Sequence, residues 1–315
     1  MKNYETHINI LALKLIQGLG NSSLLSILNS NVNLAHIQSL LKCIIEQIKC
    51  NKRSVADEIE DRFAEYQKHA ESILSHCDKH GIDVLTVIDE TYPAALRHLS
   101  DPPAVLFCKG NINAITDPKA IAIIGTRNCT ETGYRIAEKT AEHFTSEGFV
   151  IVSGLARGID TAAHTGALRA RGITVAVVTD VQNIYPRENK QLAEEIISNH
   201  GILLAENFPG SKISKYHFIS RDRLQSALSL GVFLMEAGHK SGALHAVKAA
   251  QRYQRPIFCP RVQTLMDKQL YKGTEEQLTS IIDLVRGQNA KEYDQTSYSD
   301  ILMMLKERAG KHISG

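Results

Sequence analysis

Apolar positions along this chain follow two regimes. From Ile8 to about residue 80 they recur at helical spacing. Ile10, Leu13, Leu15 and Ile16 open one apolar stripe, which Gly18-Leu19-Gly20 interrupts. Further helices are predicted over 22–30, 34–49 and 55–80, with Gly81 as the stop of the last one. Beyond it the pattern changes to short, continuous apolar runs separated by polar, helix-like stretches. A strand is predicted over 84–89, then loops at Tyr92-Pro93 and Asp101-Pro102-Pro103. Seven more strands are predicted at 104–108, 120–125, 149–154, 174–178, 202–206, 231–237 and 256–260.

Unbroken runs such as AIAIIG and GVFLMEA fit parallel strands covered on both faces, since an alternating pattern would leave one face wet. Strands that alternate with helices predict a doubly wound, mostly parallel α/β sheet. One amphipathic helix follows residue 290. It reads as a terminal helix or part of a small appended domain. The expected organisation is a helical domain over 1–80, the α/β domain over 81–288 and a short helical tail over 289–315.

The 315 residues suffice for one large domain and one or two small ones, and 43% are apolar. With 36 basic and 34 acidic side chains the net charge is +2, so any anion site must come from local clustering. Cys43, Cys50, Cys77, Cys108, Cys129 and Cys259 form no CxxC pair and fit no zinc spacing. Cys108 and Cys259 fall inside predicted strands, where buried free thiols suit a reducing cytoplasm. The first residues lack a long apolar signal core, and no run of about 18 apolar residues predicts a membrane span.

Four strand ends carry candidate chemistry. Gly125-Thr126-Arg127 follows a strand and precedes a helix, the position where free N–H groups receive phosphate. It reads either as an anion loop or as a turn with Arg127 solvated. Ser153-Gly154-Leu155-Ala156-Arg157-Gly158 repeats the arrangement. Asp160 reads as the cap of the next helix and His164 as a structural residue, in preference to a catalytic pair. Lys212, Lys215, Arg221 and Arg223 surround one aspartate, Asp222, in a predicted loop that also holds Tyr216 and Phe218. Cations interleaved with aromatic rings are how single strands are held without sequence readout; an ordinary solvated loop with Phe218 in the core is the alternative. Finally, Lys240, Ser241 and Gly242 lead into a further helix, after Glu236, which reads as a structural hydrogen-bonding residue.

GTRNCTETGYRIA, VSGLARGIDTAAHTGALRARGITVAVV, NIYPRENKQLAEEI, FISRDRLQSALS and EAGHKSGALHAVKAAQRYQRPIF occur in that order. Together they resemble the DprA (Smf) family over roughly residues 8 to 285. The resemblance implies a Rossmann-like domain behind a small helical domain of SAM or helix-hairpin-helix type. It implies a homodimer without catalytic activity or cofactor. The implied role is to bind and protect single-stranded DNA and help load RecA during natural transformation. Within it, Arg127 falls on the arginine of the family's G-[ST]-R loop, and Lys215 and Phe218 have the spacing of its phosphate- and base-holding pair. Family members commonly carry Arg-Asn-Arg where this chain has Arg221-Asp222-Arg223, and many carry Pro-Gly where it has Pro260-Arg261. The competing reading is a nucleotide-binding sensor or a relative of the LOG-type phosphoribohydrolases, whose PGGxGTxxE signature is absent.

Overall fold

The computed structural model describes residues 4–30, 53–116, 119–267, 269 and 271–313. The helix predicted at 34–49, Cys43 and Cys50 lie outside them. The described chain divides into two compact units, Met1–Tyr92 with Ser100–Phe107, and Pro93–Leu99 with Cys108–Gly315. This division differs from the boundary expected at residue 81, because the first strand stays with the helices.

In the first unit, helix α1 (Tyr4–Leu15) is buried almost all round and packs on α3 (Arg53–Lys79), with α2 (Asn21–Leu28) beside α1. Phe63, Ala70 and Cys77 of α3 are buried at seven-residue spacing, which makes one stripe. Buried Asn9 is satisfied by Gln67 Nε2, 2.7 Å away. α3 stops where Gly81 takes φ +62°, a conformation that suits glycine. Strand β1 (Asp83–Thr86) is shorter than the predicted 84–89. The Asp89 carboxylate folds back to accept from Thr86 N–H (2.6 Å) and Thr86 Oγ1 (3.0 Å), closing a turn where the strand was expected to run on. β1 neighbours β2 (Val105–Gly110), along which the division between the units falls.

The second unit opens with a short helix α4 (Ala94–Arg97). Its strands are β3 (Ala120–Ile124), β4 (Val150–Ser153), β5 (Thr174–Val177), β6 (Ile202–Ala205), β7 (Val232–Leu234), β8 (Ile257–Pro260) and β9 (Lys291–Tyr293). They lie in the order β6-β5-β4-β3-β7-β8-β9, all parallel. Helices α5 (Glu131–Ser146), α6 (Ile159–Arg169), α7 (Lys190–Ser198), α8 (Lys215–Ala227) and α9 (Leu244–Arg252) form the crossovers. Three more follow, α10 (Val262–Asp267), α11 (Thr279–Arg286) and α12 (Tyr298–Ile313). Along β3, Ile121 and Ile123 join one core with Phe144, Phe149, Phe233 and Phe258. Ala122 and Ile124 join another with Val232, Leu234, Val247 and Ile281. Both faces are therefore dry, which is why the strands read as unbroken apolar runs.

The segment after residue 288, expected as a short helical tail, adds a strand and a helix to this unit. β9 extends the sheet, with Tyr293 opposite Pro260 and Arg261 N–H donating to Tyr293 O (2.8 Å). Ile301, Leu305 and Ala309 of α12 enter the same core as Phe233 and Phe258. The strand escaped the sequence reading because it is three residues long and largely exposed. No described helix is long and apolar enough to cross a membrane.

Candidate nucleic-acid interface

The strand order reverses between β3 and β7: successive strands run one way from β3 to β6 and the other way from β7 to β9. Loops leaving such a switch point diverge and open a crevice at the carboxyl edge of the sheet. Here a pocket of about 320 Å³ opens there. Gly125, Thr126, Arg127 and Asn128 line one side and Lys240, Ser241 and Gly242 another. Asp160, Arg221, Asp222 and Gln225 line it as well.

The β3 loop is locked by its own backbone. Thr126 N–H donates to Glu236 O (2.8 Å), and Thr126 O accepts from Ile159 N–H (3.3 Å). Thr126 Oγ1 accepts from Asn128 N–H (3.3 Å), which leaves its hydroxyl proton free to point elsewhere. A Cβ on Gly125 would press into Ile159 and the Glu236 carbonyl, so the glycine serves close packing of loop on helix. Gly158, at φ +73°, turns the chain beneath the carbonyls of Thr126 and Arg127, where a side chain would collide. Arg127 is exposed, and its guanidinium carbon stands 5.5 Å from the centroid of the half-buried Phe218 ring. Phe218 meets Tyr185 edge to face at 5.6 Å.

The segment from Lys215 to Arg223, expected as a loop, is the first part of α8. Ser214 N–H donates to His217 Nδ1 at 3.2 Å, satisfying the chain entering the helix. Helical geometry puts Lys215, Phe218, Asp222 and Gln225, at spacings of three, four and three, along one side. Asp222, Gln225, Asn128 and Asp160 were missed as lining residues. The three–four spacing on α8 was the available signal for the first two.

Arg221 is 5% exposed. Its Nε lies 3.3 Å from Asp222 Oδ1, while Nε and Nη1 have no hydrogen-bond partner. The guanidinium rests on Gly154, where a Cβ would collide with it. Burial pushes the Asp222 carboxyl up to about 6; the Arg221 charge opposes this and the Asp160 charge adds to it. Burial likewise raises Asp160, against the pull of Arg221. Asp160 is not the helix cap. Gly158 holds that position, and the Asp160 carboxylate turns back to accept from Ala156 N–H (3.2 Å).

Several expected contributors stand elsewhere. Ser153 is fully buried and its hydroxyl donates to Ile123 O (2.6 Å). Gly154 is a packing glycine under Arg221. Arg157 pairs with Glu188 outside the pocket. Arg223 grips both carboxylate oxygens of Glu206, at 3.0 and 2.9 Å. Lys212 and Lys215 are exposed and do not line the pocket. Helix α9 begins at Leu244, later than expected, and Ser241 N–H is taken by Gly238 O (3.0 Å).

Two polar residues are structural, as their settings predict. His164 Nδ1 bonds Thr174 Oγ1 (2.7 Å), and burial, with the Arg221 charge, lowers its pKa to about 3, so the ring is neutral. Glu236, fully buried, accepts from Thr130 N–H and from Thr130 Oγ1 (2.8 Å), and Thr130 Oγ1 in turn accepts from Gly133 N–H to cap α5. Among the described residues no group of three His, Cys, Asp or Glu is placed to hold a metal ion.

Comparison with known proteins shows the family of the chain. The chain is 37% identical over 214 residues to the DNA processing protein DprA of Bacillus subtilis, covering 68% of this chain and 70% of that protein. It is 40% identical over 174 residues to the Streptococcus pneumoniae protein of the same name, covering 55% and 61%. The crystal structure of the Streptococcus pneumoniae protein superposes with a TM-score of 0.72 at 29% identity, covering 91% of this chain and 94% of that one. A Helicobacter pylori DNA processing protein A, whose structure is described for its single-stranded DNA binding mode, superposes with a TM-score of 0.60 at 29% identity, covering 70% and 95%. The family model for DNA recombination-mediator protein A matches residues 83–293, and the chain belongs to that family.

Proposed function

We propose that this protein is a non-catalytic mediator that binds single-stranded DNA at the switch-point pocket and, as a homodimer, hands the strand to RecA in the cytoplasm. The observation that carries this reading is the pairing of Arg127, which lines the pocket, with the Phe218 ring, which lies outside the lining. A cation beside an aromatic face offers a phosphate contact and a stacking surface within one nucleotide's reach. A phosphate-only site has no use for the ring, and a paired duplex keeps its bases stacked on each other. The description of the Helicobacter pylori relative supports the same class of ligand. Three candidate carboxylates are engaged structurally: Glu236 with Thr130, Asp160 with Ala156 N–H and Glu206 with Arg223.

The test is a titration of the purified protein with labelled single strands, blunt duplex and mononucleotides at two salt concentrations. Single strands should bind most tightly and weaken with salt, with about 0.7 in log–log slope per phosphate neutralised. Duplex binding of equal strength at matched salt would refute the reading. Tight mononucleotide binding without strand binding would favour a nucleotide sensor.

A further inference from the structure

The NIYPRENK segment, between β5 and α7, contributes nothing to the pocket lining, yet it carries an exposed ring in contact with Phe218. Tyr185 is 56% exposed, and it meets the Phe218 ring edge to face at 5.6 Å. What sets Tyr185 apart from the other exposed tyrosines, Tyr4 and Tyr216, is its ring contact with Phe218.

The support here is rigid at both ends. Before the tyrosine, buried Asp180 accepts from Gln182 N–H (2.8 Å), Asn183 Nδ2 (2.9 Å) and Gly210 N–H (2.9 Å). After it, Asn189 Nδ2 donates to Leu155 O (2.9 Å), Ala156 O (3.2 Å) and Thr161 Oγ1 (3.0 Å), fastening the segment to the loop that follows β4. Pro186 is buried, so the chain is anchored immediately beside the exposed ring. Folding thus fixes Tyr185 in place without burying it.

From Arg127 at the pocket rim, ring contacts lead to Phe218 and then to Tyr185. Exposed Arg187 lies two residues further on, beyond Pro186. We infer that Tyr185 is a second base-stacking platform, which carries a bound single strand outward from Phe218 and sets the length of strand the protein covers. This rests on the proposed single-strand function and adds a residue and a direction to it. The occupant is a nucleobase: a stacked base needs an accessible ring face on a fixed support, and the neighbouring cationic side chains suit its phosphates.

The chain has no tryptophan, so Tyr185→Trp places a sole indole reporter on the platform. Titrated with oligothymidylates of increasing length, its emission should be quenched once the strand is long enough to pass Phe218. Tyr185→Ala should weaken binding of such strands by roughly five- to 150-fold, and Tyr185→Phe should keep most of the affinity. Dinucleotides, which reach only Arg127 and Phe218, should bind wild type and Tyr185→Ala alike. Unchanged indole emission from the Tyr185→Trp protein on a strand that demonstrably binds would overturn the inference, as would equal losses of Tyr185→Ala affinity at every length. Both outcomes differ from failure of the functional reading, in which wild-type protein does not bind single strands at all.

Discussion

Arg127 lies on the loop after β3 and Phe218 on helix α8, and the fold brings the guanidinium to 5.5 Å from the ring centroid. At an exposed site such a pair is worth about 0.5–1 kcal/mol, too little to dictate the fold but enough to hold both groups ready. Phe218→Ala should weaken single-strand binding by roughly five- to 150-fold, and Phe218→Trp should retain most of it. Arg127→Ala should weaken binding too and flatten the salt dependence by about 0.7 in slope, whereas Phe218→Ala leaves the slope intact. Because the ring is only half-buried, its alanine variant should lose far less than the several kcal/mol of a core truncation. An early-melting Phe218→Ala protein with normal affinity would assign the ring to packing.

Asp222 makes the pocket sensitive to pH. Its folded pKa of about 6 stands above the ordinary carboxyl value of 3.8, so the native state takes up a proton before the unfolded chain does. Stability therefore rises as pH falls through about 6 and the contribution levels off below 3.8. The groups that face it are Arg221, Asp160, Arg127 and Gln225. Removing the negative charge frees Arg221 and should favour a bound phosphate. Each further unit by which that phosphate raises the Asp222 pKa corresponds to about a tenfold preference for the protonated form. Affinity for oligothymidylate should increase from pH 7.5 to 5.5. Asp222→Asn should bind more tightly at pH 7.5 and lose most of that pH dependence. Parallel pH profiles of wild type and variant would refute the assignment.

Arg223 illustrates the opposite case, a basic residue in a basic cluster that serves the fold. Its two bonds to Glu206 hold α8 to the end of β6. Arg223→Ala leaves the largely buried Glu206 charge unpaired and should lower stability by roughly 3 kcal/mol. The salt slope of binding should stay as in wild type. A flattened slope without a shift in melting temperature would return Arg223 to the DNA site.

The sequence was most legible where burial is two-sided. AIAII and VFL show the parallel sheet because nothing polar survives on either face of β3 or β7. The strand-end loop of Gly125, Thr126 and Arg127 was legible for the same reason, since the run ends abruptly in loop chemistry. Less could be read in α8, where serine, histidine and alternating charges mask the helical period, so Lys215 and Phe218 were expected on a loop. Ser153 and Arg223 have the residue types of a ligand site, but their partners, Ile123 O and Glu206, are distant in sequence. Such tertiary partners leave no local pattern. The same holds for β9, whose KEY sequence has little apolar character and whose partner strand β8 is distant in sequence.

The packing of α12 yields the last prediction. Leu305 is fully buried among Phe233, Phe258 and Ile301, and its methyl lies where a Cβ on Gly231 would be tightly met. If α12 were an independent tail, truncating Leu305 would leave the sheet unaffected. If it closes the core, Leu305→Ala should cost about 2–5 kcal/mol, because the surrounding rings cannot collapse into the space. Met303, on the same helix but 60% exposed, serves as the control: Met303→Ser should change stability by about 0.5 kcal/mol or less. The pocket lies at the ends of β3 and β7 and is lined by none of α12, so folded Leu305→Ala protein should bind single strands normally below its melting temperature. Denaturant melts of the two variants beside wild type decide the matter. A Leu305→Ala protein that melts with wild type would detach α12 from the core.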